Sequence, residues 1–278
     1  MSYSAEISRT NPGCFIFLVD QSTSMGDAIG DEAQQQKADV VANAINRLLT
    51  ELSVKCAKEE GVRDYFHVAV VGYGHSVGSA FGGALAGRDL VPLGEVANNP
   101  ARVENRVKKV SDGAGGLVET SVSFPVWMDP VAQGGTPMTR ALGYADSLVA
   151  RWIEEHPGGF PPIVLNLTDG ESTDGDPTSA AISIASHATA DGTVLLFNLH
   201  VSAGGGSPIT FPDAEAGLPD SYARTLFEMS SVLPSHMRSY AASQGHRVSE
   251  DTRGFVYNAD IVSVVEFLDI GTRATELR

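Results

Sequence analysis

The sequence predicts an α/β protein with a doubly wound, mostly parallel central sheet and helices on both of its faces. Apolar runs of strand length alternate with longer amphipathic segments along the whole chain. Several of these runs are continuously apolar, which is typical of parallel strands that are buried on both faces. The 278 residues are enough for one large domain with a core of two or three layers.

Composition narrows the classes of partner and the compartment. An apolar content of 42% with 19% charged residues excludes global disorder, and a net charge of −15 argues against nucleic acid or an anionic membrane as the partner. Two cysteines, Cys14 and Cys56, are too few for a disulfide framework and lack metal-ligand spacing. The N-terminus is polar, and no run approaches the ~18 apolar residues that span a bilayer. We therefore expect a cytoplasmic protein.

The first half of the chain predicts a strand, a long helix and a second strand in succession. A buried strand over 14–19 ends at Asp20, and apolar residues at spacings of three and four predict a helix over about 31–60, with Cys56 on its apolar stripe. The remaining predicted elements of this half are a strand at 67–73, an edge strand at 90–93, a short helix at 99–110 and an inserted hairpin or long loop at 111–133.

The second half continues the alternation. Its predicted elements are helices at 139–155, 178–190, 222–231, 235–244 and 260–269, strands at 163–168, 193–201 and 254–257, and a long loop at 202–220. Asn166 and Asn198 interrupt apolar strands, so each needs a buried hydrogen-bond partner. We expect a flexible N-terminus over 1–12 and a single domain over 13–278, with insertions around 74–133 and 202–220.

Three short polar segments fall at the ends of predicted strands or the start of a helix. Asp20, Ser22 and Ser24 follow the first buried strand, Thr136 precedes a helix, and Asp169 follows the strand at 163–168. In an open doubly wound sheet, the carboxyl ends of the strands line the ligand crevice. We therefore expect these three segments to converge there, although they lie far apart in the sequence.

The side chains of these segments carry only oxygen donors. Carboxylates and hydroxyls without His or Cys suit Mg²⁺ or Mn²⁺ better than Zn²⁺, with Ca²⁺ as a further candidate. Five protein groups cannot complete an octahedron, so an outside ligand is needed. A carboxylate from a protein partner is the natural anion for that position.

The order Asp20-x-Ser22-x-Ser24, Thr136 and Thr168-Asp169-Gly170 resembles the metal-ion-dependent adhesion site of von Willebrand factor A domains. The resemblance extends over roughly 13–271, because the order of strands and helices also fits. It implies a Rossmann-like sheet, a cation held directly by the first three residues, and Thr136 and Asp169 as direct or water-mediated ligands. It further implies protein binding without catalysis.

As a free-standing chain, the sequence is similar to bacterial cytoplasmic proteins of the tellurium-resistance type. That similarity implies a partner in a Ser/Thr kinase or phosphatase system. The acidic residues Asp27, Glu171, Asp174 and Asp176 are expected to rim the same face, mostly as solvated loop charges. Their field would help to hold a cation but would repel an acidic partner.

Two other functions and a purely structural interpretation stay open. A Mg²⁺- or Mn²⁺-dependent phosphoester hydrolase would need a positioned base or a second metal and cationic groups, for which Glu171 as base and Arg140 as clamp are the candidates, although neither lies in a motif. A metal-free scaffold is the third possibility. In structural terms alone, Ser22 and Thr136 could cap helices, and Asp169 could belong to an ordinary turn.

Overall fold

The computed structural model describes residues 3–29, 35–111, 117–201 and 207–272. The strands are β1 Gly13–Asp20, β2 Ala57–Lys58, β3 Gly61–Val62, β4 Phe66–Tyr73, β5 Val77–Ser79, β6 Val91–Pro92, β7 Arg102–Ser111, β8 Leu117–Val126, β9 Ile163–Thr168, β10 Ala188–Thr189, β11 Gly192–Thr193, β12 Leu195–Val201, β13 Ile209–Thr210 and β14 Phe255–Ala259. The helices are α1 Lys37–Lys55, α2 Leu93–Asn98, α3 Met138–Glu155, α4 Thr178–Ser186, α5 Ser221–Met229, α6 Ser235–Ser243 and α7 Ile261–Gly271, with 3₁₀ turns at Thr23–Gly26 and Gly83–Leu85.

The central sheet confirms the predicted fold class. Its strand order is β13–β14–β12–β9–β1–β4–β5, with β6 also paired to β4. The inner strands β14, β12, β9, β1 and β4 run parallel, and the short strands β13, β5 and β6 are antiparallel at the edges. Val19 of β1 lies beside Gly72 of β4 and Leu167 of β9, so these three strands finish at the same edge of the sheet.

Helices cover both faces of the sheet, and β1 shows how its sequence supplies two cores. Phe15 and Phe17 point into the core that contains α1, α2, α6 and α7. Ile16 and Leu18 point into the opposite core, which contains α3, α4 and α5. Because alternate residues of a strand face opposite sides of a sheet, a continuously apolar run is what a doubly covered strand requires.

The predicted helix at 99–110 is wrong, because this segment forms strand β7. It pairs antiparallel with β8 over ten residues, from Arg102 opposite Val126 to Ser111 opposite Leu117. Val103 and Val107 have helical spacing, but their side chains are 57% and 68% exposed and form no buried stripe. Their branched side chains favour a strand, and cross-strand pairing decides the conformation. The alternative of an inserted hairpin for the following segment agrees with β8.

Two predicted helices are longer than the observed ones. Helix α1 ends at Lys55, before the small β2–β3 hairpin, and α4 ends at Ser186, before the β10–β11 hairpin. Residues 31–34 of the first predicted helix and 202–206 of the predicted long loop lie outside the described residues. Within the described ranges, no helix is long and apolar enough to cross a membrane.

The stretch before β1, predicted to be flexible, packs against the amino-terminal side of the sheet. Ile7 is buried in the core beside Phe66. The Tyr3 hydroxyl lies 2.9 Å from Thr193 Oγ1, and the Asp191 carboxylate accepts hydrogen bonds from the backbone N–H groups of residues 4 and 5. This part of the chain therefore contributes to the core and to the edge of the fold.

A chain of polar side chains crosses the interior of the sheet. The Tyr73 hydroxyl donates to Asn166 Oδ1 over 2.7 Å, and Asn166 Nδ2 donates to Asn198 Oδ1 over 3.0 Å. Asn198 Nδ2 in turn donates to Ser230 Oγ over 3.0 Å, next to the end of α5. The prediction that both asparagines have buried partners is confirmed, and they provide each other with one of them.

Candidate metal centre

The carboxyl ends of β1 and β9 fix the Asp20 side chain between them. Asp20 Oδ2 accepts a hydrogen bond from Thr168 Oγ1 over 2.7 Å, and its Oδ1 accepts from the backbone N–H of Ser22 over 2.8 Å. The residue is only 1% exposed. Because the two strands are parallel neighbours, their last residues meet at one edge, as expected from the sequence.

The loop after β1 is joined to the loop before α3. The backbone N–H of Gln133 donates to the Gln21 carbonyl over 2.6 Å, and the Thr23 N–H donates to the Gly134 carbonyl over 3.0 Å. Gly134 has a φ of +92°, and a Cβ there would lie 2.5 Å from the His75 backbone nitrogen. Only glycine fits this close approach. These bonds carry Thr136 to the edge of the sheet where Asp20 lies.

Hydroxyl and carboxylate groups then form a connected series. Ser22 Oγ lies 3.0 Å from Ser24 Oγ, and Ser24 Oγ donates to Asp169 Oδ1 over 2.8 Å. Thr136 is 5% exposed, and its Oγ1 would be 3.7 Å from a Cβ placed on Gly170, so it lies beside the turn that carries Asp169. The structure therefore brings all five sequence-predicted residues to one place.

The helix-cap interpretation of these hydroxyls is not supported by the geometry. Ser22 precedes the 3₁₀ turn Thr23–Gly26 without a side-chain capping bond, and the residue before α3 is Pro137 rather than Thr136. The start of α3 is instead held by Asp174, whose carboxylate accepts from the N–H groups of Thr139 and Arg140. Neither the Ser22 hydroxyl nor the Thr136 hydroxyl therefore caps the N-terminus of a helix.

Two of the acidic residues expected to rim this face accept hydrogen bonds at the start of a helix. Asp174 has a side chain only 17% exposed, and Asp176 Oδ1 accepts from the N–H of Thr178 at the start of α4. Burial alone would raise the pKa of Asp174, but hydrogen bonds from Arg140, Thr139 and Ser172 outweigh it and lower that pKa below its ordinary value. Asp176, Asp27 and Glu171 are exposed, as expected.

Burial makes the negative charge of Asp20 costly. It raises the pKa of the Asp20 carboxyl to about 6, against hydrogen bonds from Ser22 and Thr168 that lower it, and the nearby charge of Asp169 raises it further. Two buried carboxylates in one place favour a cation, because opposite charge offsets the lost hydration. The site therefore has the electrostatic character of a cation-binding site.

A lysine outside the set of residues predicted from the sequence supplies one positive charge. Lys37, the first residue of α1, has a side chain only 5% exposed, and its Nζ lies 2.8 Å from Asp169 Oδ2. The sequence shows it only as a charged residue at the start of an amphipathic helix, a position that is usually exposed to solvent. Its inward position depends on the packing of the start of α1 beside the loop after β1, where the Lys37 N–H donates to the Asp27 carbonyl.

Tyr222 and His200 border the same edge of the sheet. The Tyr222 hydroxyl donates to the Gly170 carbonyl, and burial raises the pKa of this phenol. His200 stacks on Tyr257 with ring centroids 4.5 Å apart, and burial lowers the pKa of its imidazole. These aromatic side chains hold the Asp169–Gly170 turn in place, and a groove lined by Glu171, Asp176 and Tyr222 runs beside it.

The donor set fits a hard divalent cation in chemistry and placement. Over the described ranges, no three His, Cys, Asp or Glu side chains are grouped to hold a metal ion, so a metal here would need other oxygen donors as well. Asp20, Ser22, Ser24 and Thr136 supply such oxygens at a buried, negatively charged place. Asp169 also fits by type, but its carboxylate is already paired with an ammonium group.

Comparison with known proteins gives similarity in structure only. No family model and no curated protein matches the chain. The manganese-loaded TRAP protein of Plasmodium vivax is 15% identical with a TM-score of 0.39, covering 93% of this chain and 72% of that one. The vWF domain of the pili tip protein Mfa5 from Porphyromonas gingivalis is 16% identical with a TM-score of 0.32, covering 58% and 39%.

The pilus adhesin RrgA of Streptococcus pneumoniae is 15% identical with a TM-score of 0.32, covering 58% of this chain and 21% of that one. This chain spans between 20% and 46% of the length of the pilus proteins that it matches. Likeness at this level carries no functional argument. The conclusion therefore rests on the structure of the chain itself. It has an α/β fold with a candidate metal centre at the carboxyl ends of its central parallel strands.

Proposed function

We propose that this protein is a von Willebrand factor A-type interaction module that holds a divalent cation and binds a protein partner through an acidic side chain. One observation supports this most directly. Three separate segments, tied together by backbone hydrogen bonds, bring the oxygens of Asp20, Ser22, Ser24, Thr136 and Asp169 to a single edge of the sheet. Hydroxyls that cap no helix beside buried carboxylates are suited to Mg²⁺ or Mn²⁺.

In this proposal, Asp20, Ser22 and Ser24 hold the cation directly, while Thr136 and Asp169 act directly or through water. When bound, the cation supplies an open coordination position for a carboxylate. The chain's own contribution is to orient the ligands in advance. Thr168 and the Ser22 N–H hold both oxygens of Asp20 in place, so little side-chain freedom is lost on binding.

The proposed partner is a protein that presents an acidic residue to this centre. Because the chain is strongly acidic, such a partner needs basic residues beside its acidic ligand to offset repulsion. A cytoplasmic Ser/Thr kinase or phosphatase system remains the proposed context. The proposal assigns no catalytic residue.

The hydrolase alternative gains no support from the site. Arg140, its nominated clamp, has its Nε 3.2 Å from Asp174 Oδ2 and stands beside the helix start that Asp174 holds. Glu171, its nominated base, is exposed at the groove beside the centre. Neither group is directed at Asp20 by a described contact.

Thermal unfolding in chelator and in millimolar Mg²⁺ or Mn²⁺ tests the metal. A ligand at ~100 times its Kd stabilises by about 2.7 kcal/mol, so we expect the wild-type Tm to rise by at least about 5 °C. Asp20→Ala removes the central carboxylate and should abolish the rise. Asp251→Ala, at an exposed carboxylate in the loop before β14, should retain it.

Ser24→Ala is a second variant, in case Asp20→Ala fails to fold. An equal rise in the wild type and in a folded Asp20→Ala or Ser24→Ala protein would contradict the proposed ligands. Absence of any rise in the wild type would contradict metal dependence itself.

A further inference from the structure

Lys37 is a buried cation inside the candidate metal centre. Its side chain is 5% exposed, and the side chain of Asp169, which accepts from it over 2.8 Å, is fully buried. Lysine is almost never buried unless it is paired, because its ammonium group is strongly hydrated in water. The pair is therefore a built feature of the interior rather than a surface contact.

The ammonium group joins two of the segments that carry proposed ligands. Besides Asp169, Nζ donates to the backbone carbonyl of Ser24 over 3.3 Å and lies 3.7 Å from Asp27 Oδ2. An ammonium has three donors and no acceptor, and its hydrogen bonds to Asp169 and Ser24 use two of them, while Asp27 forms an ion pair beyond hydrogen-bond distance. Of the three, Asp27 alone is largely exposed, at 65% of its side chain.

Both oxygens of Asp169 accept hydrogen bonds from chain groups. Oδ1 accepts from Ser24 Oγ and Oδ2 accepts from Lys37 Nζ. A second cation beside this carboxylate would lie within a few ångströms of the ammonium, where like charges repel strongly even at an intermediate dielectric constant. The candidate metal centre therefore already contains one positive charge, that of Lys37, which offsets part of the negative charge of its carboxylates.

We propose that Lys37 is an internal competitor for the divalent cation, which binds fully only when the Lys37 ammonium leaves Asp169. This inference rests on the proposed function. Asp27 is the acceptor toward which the ammonium moves, because it is already 3.7 Å away and open to solvent. The lysine lowers metal affinity and holds the metal-free site together, so that loading requires a high concentration of the cation.

Calorimetric titration of Mg²⁺ and of Mn²⁺ into wild type and Lys37→Met tests the competition. Methionine keeps most of the length of the side chain without its charge. We expect Lys37→Met to bind at least about tenfold more tightly and, in chelator, to have a lower Tm, because Asp169 is left buried without its partner. Lys55→Met, at the exposed end of the same helix, should change neither quantity.

The outcomes separate this inference from the proposed function. Equal or weaker metal binding by Lys37→Met, with binding by the wild type, would overturn the competition and leave the metal module standing. Binding by Lys37→Met alone would support the competition and refute metal dependence of the native chain. Absence of binding in both proteins would overturn both.

A measurement on the wild type alone covers the case in which Lys37→Met fails to fold. Lysine acetylation by a water-soluble reagent, followed by peptide mass spectrometry, reports how accessible each ammonium group is. We expect Lys37 to be protected in chelator and to react at least about threefold faster in saturating Mn²⁺, with Lys55 unchanged. An unchanged rate at Lys37 in the presence of bound metal would overturn the proposal.

Discussion

Asp174 shows how one acidic side chain near the centre has a purely structural task. Its two carboxylate oxygens accept from Thr139 N–H over 3.0 Å and from Arg140 N–H over 3.1 Å, at the first turn of α3. A negative charge there also interacts favourably with the helix dipole. The residue holds α3, and with it the preceding Thr136, against the edge of the sheet.

Asp174→Asn should therefore lower the free energy of unfolding by about 1 kcal/mol at pH 7, the usual effect of weakening a helix cap. Because the folded-state pKa of Asp174 is depressed, its stabilisation is present above the ordinary pKa of an aspartate and is lost as the pH falls through the folded value. The difference from wild type should shrink between pH 5 and pH 3. Urea unfolding of both proteins at several pH values measures it.

Asp251→Asn, at an exposed residue, is the matched control for that experiment. A difference between Asp174→Asn and wild type that stayed constant down to pH 3 would show that the charge of Asp174 is not what holds the helix.

For single residues, the position in the fold can be predicted from the sequence where the direction of the chain determines it. Asp20 and Asp169 follow buried parallel strands, so their meeting follows from topology. Lys37 could not be predicted, because its inward position depends on how α1 packs. From the sequence, Asp174 is expected to be a solvated loop charge, because the helix start that it caps lies far away along the chain.

At the scale of elements, the β7–β8 hairpin stands apart from both cores. It exposes Val103, Val107, Val118 and Val122, and Arg106 Nη1 connects it to Asn43 of α1 over 2.9 Å. Its base is held more firmly, since the buried Asn46 Oδ1 accepts from the N–H groups of Trp127 and Met128. The hairpin is thus an appendage on a fixed base.

Replacing residues 103–125 by Asn-Gly should shorten the hairpin to its base with a change of less than about 2 kcal/mol in the free energy of unfolding. Exposed valines lose little hydrophobic stabilisation when removed, because most of their surface is already in contact with water. Asn46→Ala in the full chain should cost about 2–3 kcal/mol, since it leaves buried backbone groups without partners. Urea unfolding compares them, and a larger loss on shortening would contradict the description of an appendage.

The hairpin also marks a limit of prediction from sequence at this scale. Strands β1, β9 and β4 were predicted within a residue or two, because long apolar runs in a doubly covered sheet have one interpretation. Strand β7 has its valines and charged residues at spacings that satisfy a helix equally well. In a segment outside the core, burial does not select one period over the other.

At the scale of the whole molecule, the acidic balance sets the long-range electrostatics. The net charge of −15 repels itself more strongly in the compact state than in the unfolded chain. Exposed ion pairs such as Arg47 with Glu51, whose side chains are 62% and 42% exposed, add little to offset it. The order of the central parallel strands and of the long helices, by contrast, was predictable from the sequence, because it depends on local apolar patterning.

Raising NaCl from 10 mM to 100 mM, in chelator, should therefore raise the Tm. The Debye length falls from ~30 Å to ~10 Å over this range, which screens repulsion between distant acidic groups. A gain of roughly 1 kcal/mol corresponds to about 2–4 °C in a domain of this size. Differential scanning calorimetry measures the shift, with sucrose of equal osmolality as the control. A fall in Tm would show that attractive pairs dominate instead.

The parallel strands come from segments that are far apart in the chain, and apolar side chains alone specify the register between them weakly. Sliding β9 by two residues against its neighbours would keep each side chain on its own face and cost little apolar contact. It would, however, separate Asn166 from Tyr73 and from Asn198, leaving buried amides that cost about 1–3 kcal/mol each. The asparagine pair therefore specifies the register of the sheet, because losing its hydrogen bonds destabilises a misregistered sheet more than making them stabilises the native one.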